Sequence, residues 1–223
     1  MNDKWLKILN IRKYEILLIS LIAHLYIGIV LHDLDFYAKV IWPINMVIIG
    51  VASIGVFIEK EKWKNQVKNI MFVLVFLLPI GHPFLGHISH YMTILSIIYC
   101  MYFIFILIEI FKFLIKPSYV NFDIILASAC GYFLMIEISV FFLQAIFYFS
   151  PDSISNIKNT GAANIYIDLV YFSSITITSI GFGDITPNNH FTKLITALFG
   201  VLGQFYSVIL IGILISKFTS SQK

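Results

Sequence analysis

Charged residues are what this chain has least of: Asp, Glu, Lys and Arg make up 12% of its 223 residues, against 59% hydrophobic. A soluble domain of that length cannot hide so much apolar surface, and with a mean hydropathy of +0.90 its principal solvent is lipid. Cysteine is almost as scarce. Cys100 and Cys130 both fall inside apolar runs, which excludes a disulfide framework or a zinc site and leaves them as packing residues. A net charge of +3 is too small to point to nucleic acid as a partner. The sequence shows no nucleophile–base pair, phosphate loop or metal-ligand cluster, so neither an enzyme nor a bound cofactor is expected. It also lacks a small-residue cleavage site after its first apolar run, and no cleavable signal peptide is expected.

What is present is a series of apolar runs. Six are long enough to cross a bilayer, which takes roughly 20 helical residues: Tyr14–Leu31, Ala38–Ile58, Asn69–Phe84, Ile88–Phe111, Phe122–Phe149 and Phe191–Phe218. The third is short and is interrupted by Gly81 and Pro83. The expected fold is therefore all-α, six transmembrane helices with a re-entrant segment between the fifth and sixth. Lysine and arginine set the orientation, because cytoplasmic loops carry the excess. With both termini inside, twelve basic residues lie inside and only Lys39, Lys158 and Lys193 outside. That bias requires an even number of spans and puts residues 150–190 on the outer side. Asp33 and Asp35, in the first outer loop, agree with it.

The re-entrant segment starts with a polar loop, Ser150–Asn164, followed by Tyr166–Thr178, whose apolar spacing is helical and whose first turn carries Asp168, suited to the positive end of a helix dipole. Ser179-Ile180-Gly181-Phe182-Gly183-Asp184 comes next. Non-helical backbone at membrane depth is tolerated only inside protein or against water. Alternate glycines let carbonyls turn to one axis, and four such strands can replace the hydration shell of an ion. One chain supplies one strand, so a ring requires four subunits.

Thr176-Ile-Thr-Ser-Ile-Gly-Phe-Gly-Asp-Ile-Thr-Pro187 resembles the tetrameric P-loop potassium channels, whose usual run is Thr-x-Thr-Thr-Val-Gly-Tyr-Gly-Asp. The resemblance is closest over Tyr166–Pro187 and extends weakly to Phe218. It implies a bacterial-type six-span subunit of a homotetramer in the cytoplasmic (inner) membrane, surrounded by lipid and carrying K⁺ passively. Residues 1–116 would be a four-helix domain with a linker helix, and 117–223 the pore domain. Filter residues Thr178, Ser179, Ile180, Gly181, Phe182 and Gly183 would bind ions, with K⁺ on the carbonyls of Ser179, Ile180, Gly181 and Phe182. The resemblance also places Gly203 at the gating hinge, Gln204 near a water-filled cavity and Ile215 near an apolar constriction, with Gly200 and Gly212 either serving helix packing or sharing in gating. Departures from the family pattern are Ser for Thr at 179, Phe for Tyr at 182, Tyr171-Phe172 for a Trp pair, and Ile175 for a Glu. Tyr171 stands thirteen residues before Asp184, where a donor bracing the filter would sit, and a Tyr171–Asp184 hydrogen bond is expected.

The fourth run lacks the repeated Arg or Lys of a voltage sensor, so steep voltage gating by that route is not expected. Glu109, Lys112 and Lys116, ahead of Pro117, fit an interfacial linker helix, with a simple extension of the fourth span as the alternative. Glu137 lies in the middle of the fifth run, where a carboxyl is costly and needs a partner the sequence does not name. His82, His87 and His90 cluster on the outer side; His87 and His90 are spaced to share a helix face, with loop histidines or a proton or Zn²⁺ sensor as the two readings. The chain ends five residues after Phe218, so no attached cytoplasmic ligand-binding domain is expected. A non-selective cation channel, a potassium transporter subunit and a non-conducting scaffold are the other functions this pattern leaves open.

Overall fold

The computed structural model describes residues 12–31, 33–57, 66, 69–70, 73–75, 77–78, 81, 90–115, 122–158 and 161–220, with side chains as far as Gly212. Its principal elements are helices α1 (Lys13–Tyr26), α2 (Leu34–Ser53), α3 (Tyr91–Ile115), α4 (Phe122–Phe149), α5 (Ala162–Ile177) and α6 (His190–Ser220). Two short strands, β1 (Ile154–Ser155) and β2 (Thr186–Pro187), pair antiparallel. This is an all-α, multi-pass membrane protein, with α2, α3, α4 and α6 long and apolar enough to span.

The first expected span is a 14-residue helix continued by a single 3₁₀ turn, Ile27–Ile29, so it falls short of the usual length. In α2 the N-cap is Asp33, whose carboxylate accepts from the N–H groups of Asp35 and Phe36, each at 3.0 Å. The helix then widens to π geometry over Tyr37–Ile41, just ahead of Pro43. Proline has no N–H for the carbonyl four residues back and its ring crowds that carbonyl, so a wider turn relieves both. Most of the third expected span, Asn69–Phe84, lies outside the described residues, as do His82, His87, Lys116 and Pro117.

Two expectations need correction. Glu109 and Lys112 belong to α3 itself, one turn apart and paired at 2.5 Å, so the fourth span extends to Ile115 in place of a separate linker helix there. His90 precedes α3 with a left-handed backbone, φ 70°, and so does not continue a helix face from residue 87.

Six residues join α3 to α4, short enough to fold them back as antiparallel neighbours. Their contact is the most extensive among the described elements, so α3 packs on the half of the chain that carries the glycine segment. α4 is apolar on nearly every face, and such a helix belongs at a centre. It touches α1, α3, α5 and α6. Between helices in lipid, association comes from close packing and hydrogen bonds more than from the hydrophobic effect. Ser53 and Tyr102 share a hydroxyl–hydroxyl bond at 2.6 Å, and Cys130 donates its thiol to the Tyr14 carbonyl at 3.3 Å. Both cysteines are free and buried, as packing residues should be.

Candidate functional site

The helix ahead of the glycine segment begins four residues earlier than the apolar spacing suggests, at Ala162, after Gly161 with φ 145°. Asp168 therefore lies in the second turn, not the first. Its carboxylate accepts the backbone N–H of Lys158 at 2.8 Å and so ties the incoming loop to the helix. The helix itself is held from two sides. Ser173 accepts from Ser139 of α4 at 3.1 Å, and Ser174 pairs with Tyr26 of α1 at 3.0 Å.

α5 ends at Ile177, and the Thr178 hydroxyl turns back to donate to the Ser174 carbonyl at 2.7 Å. The chain then leaves the helix in a regular alternation: Ser179, Gly181 and Gly183 have φ of 60°, 56° and 81°, whereas Ile180 and Phe182 have no positive φ. Alternating hands in successive residues turn carbonyls to one side of the strand, which glycine accepts freely and serine does not. The N–H groups of Ile180 and Gly181 both donate to the carbonyl of Ile175, at 2.8 and 3.1 Å. The backbone at 175 thus tethers the start of the glycine segment to α5. Ile180, Gly181, Phe182 and Gly183 are exposed on the single chain, with Phe182 71% exposed, although the helix that presents them is largely buried.

The far end of the glycine segment is held by Tyr171, which donates to the Asp184 carboxylate at 2.7 Å. This is the bond that their spacing predicts. It holds the Asp184 carboxyl below its usual range and pushes the Tyr171 phenol up. Phe182, lacking a hydroxyl, lies parallel to the Tyr171 ring, 4° from coplanar with centroids 6.5 Å apart. Asn156 donates its amide to the Asp184 carbonyl at 2.7 Å, and β1 pairs with β2 just beyond. Thr192, at the start of α6, donates to the Ser153 carbonyl at 2.9 Å. The loop after α4 thus braces the strand that leaves the glycine segment, a role with no signal in the sequence.

At the other end, where α5 gives way to the glycine segment, α6 approaches closely. A Cβ on Gly203 would stand 2.7 Å from Ile177 Cγ2 and 2.9 Å from the Ile177 carbonyl oxygen, so glycine is needed there for contact. Beside it, Gln204 donates its side-chain amide to the Ser179 hydroxyl at 2.7 Å. Gly200 faces Thr176 at ordinary contact distance, and no atom of the described residues lies within 4 Å of a Cβ placed on Gly212. Gly131 of α4 leaves room for Tyr206, whose hydroxyl donates to the Ser128 carbonyl at 2.7 Å. The side chain of Ile215 lies outside the described residues.

Glu137 has its partner: His24 of α1, with Nδ1 2.7 Å from Glu137 Oε1 and both side chains fully buried. Tyr166 of α5 reaches the same Nδ1 at 2.9 Å. Three helices therefore meet at one buried polar point, and nothing in the spacing of residues 24, 137 and 166 announces it.

Residues 130–220, which contain α5, the glycine segment and α6, match the family model described as ion channel. Over 71 residues the chain is 34% identical to "Two-pore potassium channel 1" of Arabidopsis thaliana, covering 32% of this chain and 17% of the relative. Over 58 residues it is 41% identical to "Two pore potassium channel a" of Oryza sativa subsp. japonica, covering 26% of this chain and 16% of the relative. The chain thus spans about a sixth of the length of these curated relatives. No solved structure matches it.

Proposed function

We propose that the chain is one subunit of a homotetrameric, potassium-selective channel that conducts passively, with six spans and with α5 and the glycine segment as its re-entrant pore. The observation that carries this is the left-handed alternation at Ser179, Gly181 and Gly183, at the exposed end of a braced, buried helix between two spans. Carbonyls of Ser179, Ile180, Gly181 and Phe182 would form successive ion sites once four copies face one axis. The free surface of the chain supports assembly: Leu198, Val201, Leu202, Phe205, Val208 and Ile209 of α6 are all exposed apolar residues beside the filter. The similarity of residues 130–220 to ion channels points the same way.

In this reading residues 117–223 are the pore domain and 1–116 a sensor-like domain that packs on it. α3 has no cation before Lys112, so the membrane field has nothing there to move and gating comes from elsewhere. Gly203 serves as the pivot of α6 and Ile215 narrows its inner end. The expected home is the cytoplasmic membrane with both termini inside, as the distribution of Lys and Arg requires.

The test is ⁸⁶Rb⁺ uptake into proteoliposomes of the purified protein, with and without Ba²⁺, followed by reversal potentials in K⁺/Na⁺ gradients. Uptake blocked by Ba²⁺ and a reversal near the K⁺ equilibrium potential are expected. A reversal near zero would make the pore non-selective, and absence of uptake would make the chain a scaffold.

A further inference from the structure

We propose that Gln204 is a positioning residue for the innermost ion site, holding the Ser179 hydroxyl in place from the last span; this rests on the potassium-channel reading. Ser179 is the one filter residue whose side chain as well as its carbonyl would face an ion, and its situation is awkward in two respects. Its backbone is left-handed, which glycine accepts and serine resists. Its side chain is also unbranched: a threonine has a second substituent on Cβ that restricts χ1, whereas serine rotates among its wells. A ligand oxygen free to rotate is a poor ligand, because the ion has to fix it each time it binds.

Gln204 supplies what the missing methyl does not. Its Nε2–H donates to Ser179 Oγ at 2.7 Å, a short and well-placed bond. A hydroxyl oxygen has two lone pairs, so accepting from Gln204 uses one and leaves the other for the ion. The neighbouring contact makes the hold rigid. Gly203, one residue earlier on α6, is pressed against Ile177, two residues before Ser179. Glycine contact and amide bond together clasp the last span to the base of the filter at two adjacent points. A helix that turned at Gly203 would carry Gln204 with it, so the innermost site is set by the position of the last span. The Asn side chain is one methylene shorter than Gln and would not reach from this Cα.

The experiment uses the full chain in proteoliposomes and Ba²⁺ as the probe, a divalent ion of K⁺-like size that meets the Ser179 ring first from the inner side. Gln204→Asn and Gln204→Leu are each compared with the unaltered chain for Ba²⁺ inhibition of ⁸⁶Rb⁺ uptake. Ba²⁺ binding to the purified protein by calorimetry reads the same site where uptake is slow. Both variants are expected to weaken block about tenfold, the order of a single hydrogen bond. Ser179→Thr added to Gln204→Leu is expected to restore it, because the branched side chain then holds its own hydroxyl. A role in helix packing alone would not be rescued by a change at residue 179. Ba²⁺ affinity unchanged in both variants, or no restoration by Ser179→Thr, overturns the clasp. An unaltered chain that neither takes up ⁸⁶Rb⁺ nor binds Ba²⁺ overturns the channel reading itself, and the two failures are told apart by that first comparison.

Discussion

Replacing Glu137 by Leu should cost far more than replacing an ordinary interhelical hydrogen bond, and the loss should be reversible by a second substitution at His24. Both side chains are fully buried and their nearest atoms are 2.7 Å apart. Each group gave up its hydration to make this buried hydrogen bond, so the pair adds little net stability while each member depends on the other. Stranding one partner of such a pair costs about 3–5 kcal/mol, against about 0.6 kcal/mol for an average interhelical hydrogen bond in lipid. Glu137→Leu leaves a histidine whose Nδ1 retains only Tyr166, and His24→Phe leaves a carboxyl with no partner among the described residues. The double variant removes both polar groups and sets Phe among Phe103, Phe141 and Trp42, which already surround the imidazole. Each single variant should therefore fall by about 3–5 kcal/mol and the double by about 1–3 kcal/mol, the cost of the buried Tyr166 hydroxyl left without His24. The assay is unfolding in mixed micelles followed by far-ultraviolet circular dichroism for all four proteins of the cycle. A double variant whose loss equals the sum of the two singles would refute the coupling.

Tyr171→Phe removes the donor to Asp184 but keeps the ring against Phe182, so global stability should change by less than about 1 kcal/mol while sustained ⁸⁶Rb⁺ uptake decays sooner; identical time courses would count against the brace. Asp184 is held below its usual range by the Tyr171 hydrogen bond, so its contribution is present above the ordinary Asp range near 4 and is lost as pH falls through the lower folded value. Filter function should accordingly be flat in outer pH from about 8 down to about 5 and decline only in stronger acid, measured as uptake against outer pH. Gly203→Ala places a methyl against the Ile177 backbone and should destabilise the fold by about 1–3 kcal/mol. An unchanged melting curve with altered gating would instead favour a glycine wanted for bending.

Much of the geometry around the glycine segment is legible in the sequence. The filter run, its exposed position after a helix, and the thirteen-residue spacing from Tyr171 to Asp184 are all local in sequence, and the hydrogen bond between them is present at 2.7 Å. The boundaries were less so: the spacing started the pore helix at Tyr166 because Ala162–Ile165 gives no strong periodic signal, and a carboxylate at 168 suits a dipole as well as it suits a loop amide. Likewise Lys112 beside Glu109 looks like the start of an interfacial helix, yet one turn of an ordinary helix pairs them equally well.

Local spacing therefore determined what lies along one strand or one helix: the apolar runs, the lack of Lys and Arg in the fourth run, and the glycine alternation of residues 179–183. Those follow from a chain's own period and composition. Tertiary structure alone decided which helices meet. It paired His24 with Glu137 across 113 residues, set the Ile177 backbone against Gly203, and brought Gln204 to the Ser179 hydroxyl. Such contacts depend on crossing positions between helices, and in a chain this uniformly apolar every helix face offers nearly the same pattern, so only the packed arrangement selects among them.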